Sequence, residues 1–239
     1  MTRRARILLA VIAFATTRFA LSAVARADDV HPVLPRTVLP VDRQPWIDHA
    51  NAITARAQKG DVDLLFVGDS ITEGWGNNAA WQKYYTPRKA MNAGIGGDRT
   101  QHVLWRLGRG NLDNITPKLA VVMIGTNNSG RDSAEQIAEG ITLIVKTIHQ
   151  KTPKTKVLLL AVFPRGEKDA QQRKQIKTIN TAIAKFYVGK RVTYLDIGQK
   201  FLEPDGTLPR EPPAYTYHST GRERSKALPG QNLANMMLG

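Results

Sequence analysis

The apolar positions of this chain form short runs that alternate with longer segments of helical spacing. Each run is nearly continuous, as expected for a strand in a parallel sheet that is covered on both faces. The runs span residues 62–67, 90–95, 119–124, 157–162 and 192–196. Helix-compatible spacing covers residues 46–59, 100–107, 133–150 and 168–187. This alternation predicts one α/β domain, a three-layer sandwich with a five-stranded sheet between helices.

Polar and glycine residues follow the predicted strands at the point where each strand ends. In an open parallel sheet the carboxyl ends of the strands meet at one edge, and ligands bind there. The residues at this edge are Ser70 after the first run, Gly97 after the second, Asn127 after the third and His218 after the fifth. The pattern therefore predicts that a serine, a glycine turn, an asparagine and a histidine converge.

These four residue types are sufficient for acyl transfer. A serine hydroxyl is a weak nucleophile at neutral pH and needs a histidine to take its proton. The oxyanion that forms needs hydrogen-bond donors, which backbone N–H groups and an asparagine amide supply. The combination therefore favours a serine hydrolase.

Each motif also has an alternative interpretation. Gly68-Asp69-Ser70 is compatible with a simple helix N-cap, and Asn127 with a turn former. The turn at 94–97 resembles a dinucleotide loop, but Arg99 stands where G-x-G-x-x-G requires glycine. The serine is also not in G-x-S-x-G, so the usual α/β-hydrolase nucleophile elbow is excluded.

Several consecutive blocks of the chain resemble the SGNH (GDSL-type) hydrolases, in the branch of the platelet-activating-factor acetylhydrolase catalytic subunits and related bacterial esterases. The blocks are Gly68-Asp69-Ser70-Ile71-Thr72, Asn92 to Asp98, His102 to Leu107, Gly125-Thr126-Asn127-Asn128 and Pro164 to Glu167. The likeness spans about residues 46–211.

This resemblance implies a flavodoxin-like sheet of strand order 2-1-3-4-5. It also implies Ser70 as the nucleophile, with the Ser70 N–H, the Gly97 N–H and the Asn127 side chain as the oxyanion hole. No metal or organic cofactor is implied, and no His, Asp or Glu residues have ligand spacing in the sequence.

The histidine and its acidic partner depart from the family pattern. Only His218 follows the fifth run, where the family places its base; the other histidines are His31, His49, His102 and His149. The family has an Asp three residues before that His, and this chain has Tyr215. A phenol, with a pKa of about 10, is neutral at pH 7 and cannot stabilise an imidazolium as a carboxylate does. The triad acid stays open, since spacing favours none of Asp205, Glu211 and Glu223.

The tail after about residue 212 also departs from the family, which closes with an amphipathic helix over the sheet. Residues 219–232 are polar and contain Pro229-Gly230, and only residues 233–238 are apolar enough to pack. Six residues make fewer than two helical turns, so the C-terminal helix is expected to be defective. We hypothesise a shifted reading frame or a diverged tail over residues 212–232. Translation of the other frames tests the first of these: it should recover an Asp-x-x-His followed by an amphipathic helix.

The first 27 residues have the form of an export signal. A basic leader precedes a nine-residue apolar run, and Ala25-Arg26-Ala27 has the form of a signal-peptidase site. The run is too short to cross a bilayer, which takes about 20 residues. We therefore expect a signal peptide at 1–27, a proline-rich lead-in at 28–45 and a hydrolase domain at 46–239. The mature protein is expected to be secreted or periplasmic, without an integral membrane segment.

Composition narrows the function further. The chain has 239 residues, 34 Lys+Arg, 20 Asp+Glu and no cysteine, which excludes disulfides, thiolate zinc sites and a cysteine nucleophile. Loss of the leader removes five arginines and leaves 29 basic against 20 acidic residues, a charge of +9. These cations are spread among helices without a recognition motif, so a nucleic-acid partner is not expected.

We expect a serine esterase that removes a short acyl group, by family resemblance acetyl, from a small ester through an acyl-enzyme. An acetylated carbohydrate is favoured over a phospholipid because an exported protein meets glycans. The alternative is a catalytically impaired SGNH descendant that acts as a binding module or is inactive because of its altered C-terminus.

Overall fold

A computed structural model describes residues 44–76, 79–186 and 191–208 of the chain. The strands are β1 (Leu64–Gly68), β2 (Ala90–Gly94), β3 (Leu119–Met123), β4 (Lys156–Leu160) and β5 (Val192–Leu195). The α-helices are α1 (Gln44–Gln58), α2 (Ser70–Trp75), α3 (Thr100–Leu107), α4 (Ala134–Lys151) and α5 (Gln171–Phe186). Shorter helical turns cover Trp81–Tyr85, Thr86–Arg88 and Gly198–Phe201.

The strands form one sheet with the order β2-β1-β3-β4-β5, and every pair is parallel. This confirms the predicted α/β architecture and the strand order that the resemblance implied. Gly68 at the end of β1 lies opposite Gly94 on β2 and Met123 on β3. The segments that follow these three strands therefore start at the same edge of the sheet.

Side chains of β1 alternate between two buried faces. Leu65 and Val67 belong to a core shared with α1, α3, α4 and α5. Leu64 and Phe66 belong to a second core with Trp75 and the aromatic residues of the turns around the sheet. Because both faces of β1 are buried, the strand is apolar at successive positions, which is why run length predicted it.

Helix α4 illustrates how the local sequence forms a helix that packs against the sheet. The Ser133 hydroxyl caps the first turn by accepting a hydrogen bond from the Gln136 N–H. The side-chain oxygen of Gln136 in turn accepts a hydrogen bond from the Ser133 N–H. Four isoleucines on one face are each no more than 1% exposed: Ile137, Ile141, Ile144 and Ile148. Such a stripe at intervals of three and four residues buries one side of the helix.

The structure contains helical elements that the apolar pattern did not predict. Some of the predicted features lie outside the described residues. Helix α2 and the turn at Trp81–Tyr85 lie in a segment without a predicted helix. Helix α1 begins at Gln44, two residues before the predicted helix. The signal peptide, most of the lead-in, Tyr215, His218 and the tail lie outside the described residues. Within the described ranges, no helix combines the length and apolar character that a membrane span requires.

Candidate active site

Ser70 lies at the carboxyl edge of the sheet, two residues after the end of β1. It is the first residue of α2, and its side chain is partly exposed. Asp69 is the N-cap of α2, with extended backbone angles and a carboxylate oxygen that accepts the Ile71 N–H at 3.0 Å. The change from strand to helix therefore presents the serine at a sharp bend.

The glycine turn after β2 lies beside Ser70. The Asp98 N–H donates to the Ile95 carbonyl at 3.1 Å, and Gly97 has φ +78° while Gly96 is not left-handed, which defines a type II turn. A Cβ placed on Gly96 would lie 3.9 Å from the Ser70 Cβ. The absence of side chains thus lets the backbone of this turn approach the serine closely.

Asn127 reaches the same turn from β3. Its Nδ2 donates to the Asp98 carbonyl at 2.9 Å. Since an amide nitrogen carries two hydrogens, this bond fixes the side chain and leaves the second N–H for another acceptor. Its neighbour Asn128 is buried and accepts the Thr100 N–H at 3.0 Å, which anchors the start of α3. The structure therefore brings together Ser70, Gly97 and Asn127.

A fully buried arginine, Arg106, makes hydrogen bonds beneath this edge of the sheet. Arg106 Nε lies 2.9 Å from the carboxylate of Asp98, which is also fully buried. Its Nη2 donates to the Gly68 carbonyl at 3.2 Å and to the Ala93 carbonyl at 2.6 Å, and Nη1 donates to Asn111 at 2.9 Å. One guanidinium thus joins the ends of β1 and β2 to the glycine turn. Arg106 lies in one of the sequence blocks that resemble the SGNH hydrolases, but the sequence alone assigned no role to it.

Asn92 and Gly94 fix α2 against β2. The Asn92 Nδ2 donates to the Thr72 carbonyl at 2.7 Å, and its Oδ1 accepts the Gly94 N–H at 2.9 Å. A Cβ on Gly94 would lie 2.3 Å from the Glu73 nitrogen and 2.8 Å from the Asp69 carbonyl oxygen. Only glycine therefore allows the strand and the helix to come this close.

We expect Gly94→Ala to lower the free energy of unfolding by about 1–3 kcal/mol, because backbone atoms of α2 must move to admit the methyl group. Denaturant titration with a circular-dichroism readout measures the loss. Gly74→Ala is the matched control on α2, since nothing lies within 4 Å of its added Cβ. Equal stabilities of the two variants would contradict this interpretation of the contact.

Asp69 is an unusual carboxyl group beside the nucleophile. Burial raises its pKa from the ordinary value of 3.8 to about 7, against an opposing effect of the Ile71 N–H. The nearby charge of Asp98 raises the pKa further, whereas Arg165 lowers it. Its Oδ2 is buried and has no hydrogen-bond partner among the described residues. The neutral form of Asp69 is thus favoured at mildly acidic pH.

This shift predicts that the contribution of Asp69 to folding stability falls as the pH rises from about 4 to about 7. In that range the native state retains a proton that the unfolded state has lost, so the slope is negative and at most about 1.4 kcal/mol per pH unit. Asp69→Asn keeps an oxygen acceptor for Ile71 but cannot titrate, so its unfolding free energy is expected to lack this component. Denaturant titrations of both proteins at several pH values measure the difference. Identical pH slopes would contradict the prediction.

The described histidines occupy three different environments. His102 is buried and its Nδ1 accepts the Arg99 N–H at 3.0 Å at the start of α3. His149 lies near the end of α4, where burial and Arg191 lower its pKa. His49 of α1 lies 3.3 Å from the Glu73 carboxylate. The predicted base His218 and Tyr215 lie outside the described residues.

Of the three candidates for the triad acid, one lies among the described residues. Asp205 is exposed, and its carboxylate accepts hydrogen bonds from the Thr207 hydroxyl at 2.7 Å and from the Thr207 N–H at 2.9 Å, which lower its pKa. Glu211 and Glu223 lie outside the described residues. Across the described residues, no three His, Asp or Glu side chains form a group that could hold a metal ion.

Comparison with known proteins identifies the family. The model of the GDSL-like lipase/acylhydrolase family matches residues 66–222. The chain is 37% identical over 182 residues to platelet-activating factor acetylhydrolase IB subunit alpha2 of Gallus gallus, covering 76% of this chain and 79% of that protein. It is 35% identical over 164 residues to subunit alpha1 of Homo sapiens, covering 68% and 71% of the two chains.

The fold agrees with this similarity. A GDSL-like lipase from Bacteroides thetaiotaomicron superposes with a TM-score of 0.59 at 20% identity, covering 80% of this chain and 94% of that one. At this identity the likeness concerns the fold alone. The parallel sheet of order β2-β1-β3-β4-β5, with Ser70 at its carboxyl edge, is the architecture of the SGNH class of hydrolases. The chain belongs to the GDSL-like lipase/acylhydrolase family.

Proposed function

We propose that this protein is a serine esterase that removes a short acyl group from a small ester through an acyl-enzyme. The observation that carries the proposal is the convergence of Ser70, the Gly97 turn and Asn127 at one edge of the sheet. A hydroxyl beside backbone and amide N–H donors is the arrangement that stabilises a tetrahedral oxyanion. Family membership supports the same reaction class.

In the proposed reaction, the Ser70 hydroxyl attacks the ester carbonyl while His218 takes its proton. The carbonyl oxygen becomes an oxyanion, which the N–H groups of Ser70 and Gly97 and the amide of Asn127 stabilise. Collapse of this intermediate breaks the ester bond, and the proton on His218 passes to the departing alcohol. Water then attacks the acyl-serine, again through His218, and releases the carboxylic acid and the free serine.

We further propose acetyl as the preferred acyl group and an acetylated carbohydrate as the substrate. The first part rests on similarity to proteins named platelet-activating factor acetylhydrolases. The second rests on the export signal proposed for residues 1–27, since a secreted or periplasmic enzyme meets glycans.

Hydrolysis of p-nitrophenyl esters with two-, four- and eight-carbon acyl chains tests this proposal. The account predicts hydrolysis well above the buffer rate and the highest kcat/KM with the acetate. A maximum with the eight-carbon ester would contradict the short-acyl assignment. Absence of hydrolysis with all three esters would contradict the esterase assignment of this chain.

Tyr215 supports a second candidate, a catalytically impaired SGNH descendant. If the missing carboxylate limits the rate, Tyr215→Asp supplies it at the position that the family uses. Because a carboxylate orients the histidine and stabilises the imidazolium, we expect kcat to rise about tenfold or more. Tyr215→Asn is the matched control, as it removes the phenol without adding a charge. Equal kcat values for Asp and Asn would show that another group serves as the acid.

A further inference from the structure

A pair of ionisable side chains lies beside the nucleophile without a place in the reaction above. The His49 Nδ1 is 3.3 Å from one carboxylate oxygen of Glu73, and the two side chains are 39% and 35% exposed. The other oxygen of Glu73 lies 3.0 Å from the position that a Cβ on Gly96 would occupy. That same position is 3.9 Å from the Ser70 Cβ. The pair therefore lies at the solvent-facing side of the glycine turn, next to the serine.

Packing does not account for the pair. Helix α1 is already joined to the sheet edge by the Trp46 Nε1, which donates to Asp98 at 2.6 Å, and by the Asn111 amide, which donates to the Ala50 carbonyl at 3.2 Å. Helix α2 is held by the Asp69 cap and by Asn92. A contact between two partly exposed side chains of this kind adds little stability to such an arrangement.

The chemistry of the pair suits a hydroxylated ligand. A carboxylate presents about four acceptor sites, and His49 occupies the region near one oxygen only. The remaining sites can accept hydroxyl hydrogens, which makes the pair a directional polar contact of the kind that gives a binding site its specificity. An alkyl chain laid against the same carboxylate would remove water from it without replacing the lost hydrogen bonds.

We propose that His49 and Glu73 form a hydroxyl-binding subsite beside Ser70, which selects esters of carbohydrates over esters of apolar alcohols. Glu73 accepts hydrogen bonds from ring hydroxyls of the substrate, and His49 holds the carboxylate in position. This inference rests on the proposed function, because it assigns the substrate class of the Ser70 site.

Two probes of similar ring size separate hydroxyl recognition from ester binding. One is methyl 4-O-acetyl-β-xylopyranoside, which carries free ring hydroxyls, and the other is cyclohexyl acetate, which carries none. Binding is measured by NMR titration in the Ser70→Ala background, so that turnover does not interfere. Glu73→Leu removes the acceptor, whereas Glu73→Gln retains one carbonyl oxygen. The control is Asp63→Asn, which breaks a surface pair with Lys118 before β1, at the opposite end of the strand.

We expect Glu73→Leu to lower the preference for the glycoside over cyclohexyl acetate about tenfold. This is the loss of affinity expected when one hydrogen bond to a charged group is removed. Glu73→Gln should recover part of that preference, and Asp63→Asn should leave it unchanged. An equal loss of affinity for both probes, or no loss for either, would overturn the proposal. So would a failure of the Ser70→Ala protein to bind the glycoside.

Hydrolysis of both probes by the protein with Ser70 intact separates this inference from the proposed function. If that protein hydrolyses neither these probes nor the p-nitrophenyl esters but binding still depends on Glu73, the esterase proposal fails and the subsite stands. If it hydrolyses both probes and Glu73→Leu leaves their ratio of kcat/KM unchanged, the subsite is overturned and the esterase proposal stands.

Discussion

Replacement of Ser70 by alanine is expected to lower kcat/KM for p-nitrophenyl acetate at least about 1,000-fold, because alanine has no hydroxyl with which to form the acyl-enzyme. The oxyanion donors survive the substitution, since the Ser70 N–H and the Gly97 N–H are backbone groups. Their contribution sets the residual rate. Initial rates at several substrate concentrations, corrected for hydrolysis in buffer, measure the effect.

The control for this loss is a serine outside the active site. Ser133 caps α4 and is exposed, so Ser133→Ala should cost about 1 kcal/mol of stability while kcat/KM is retained. Thermal unfolding of Ser70→Ala should resemble that of the original protein, since the Ser70 side chain is partly exposed. His218→Ala should likewise reduce turnover. If Ser70→Ala retains full activity, the nucleophile is not Ser70.

Replacement of Arg106 by methionine should produce the largest loss of stability. The guanidinium is fully buried, and it makes hydrogen bonds to Asp98, Asn111 and two strand-end carbonyls. Methionine fills much of the volume but leaves the Asp98 carboxylate buried without its cation. Removing one partner of a buried pair typically costs about 3–5 kcal/mol. Denaturant titration measures this loss.

A double-mutant cycle separates the charge from the packing of Arg106. In an Asp98→Asn background position 98 carries no charge for Arg106 to balance, so Arg106→Met should cost less there than in the original protein. Asparagine can still accept the hydrogen bond from Trp46. Lys118→Met is the surface control, because the Lys118–Asp63 pair is exposed and should contribute little. An Arg106→Met loss of equal size in both backgrounds would contradict the ion-pair account.

The sequence predicted the sheet well for a physical reason. Strands buried on two faces are apolar at successive positions, as in β1 with Leu64, Leu65, Phe66 and Val67. Helix α2 escaped prediction because it has only six residues and contains Gly74, a poor helix former. The Asp69 cap at its start is a local signal that the sequence did offer, but the contacts that hold the helix against β2 are tertiary.

Ser70, Gly97 and Asn127 lie beyond the carboxyl ends of strands, where parallel topology alone brings them to one edge, and their catalytic roles stay predictions. The supporting contacts were not predictable in the same way. Arg106 lies within an amphipathic helix, and nothing in the local pattern distinguishes a buried guanidinium from an exposed one. His49 and Glu73 are separated by β1, so their contact depends on how α1 and α2 pack.

Covalent labelling tests the central claim, an activated serine at position 70, most directly. A fluorophosphonate phosphorylates a serine whose hydroxyl is activated by a base, with loss of fluoride, and the adduct is stable enough for peptide mapping by mass spectrometry. The account predicts one adduct per chain, located on Ser70, together with loss of esterase activity. An active enzyme that is not labelled, or an inactivating adduct on a different residue, would contradict it.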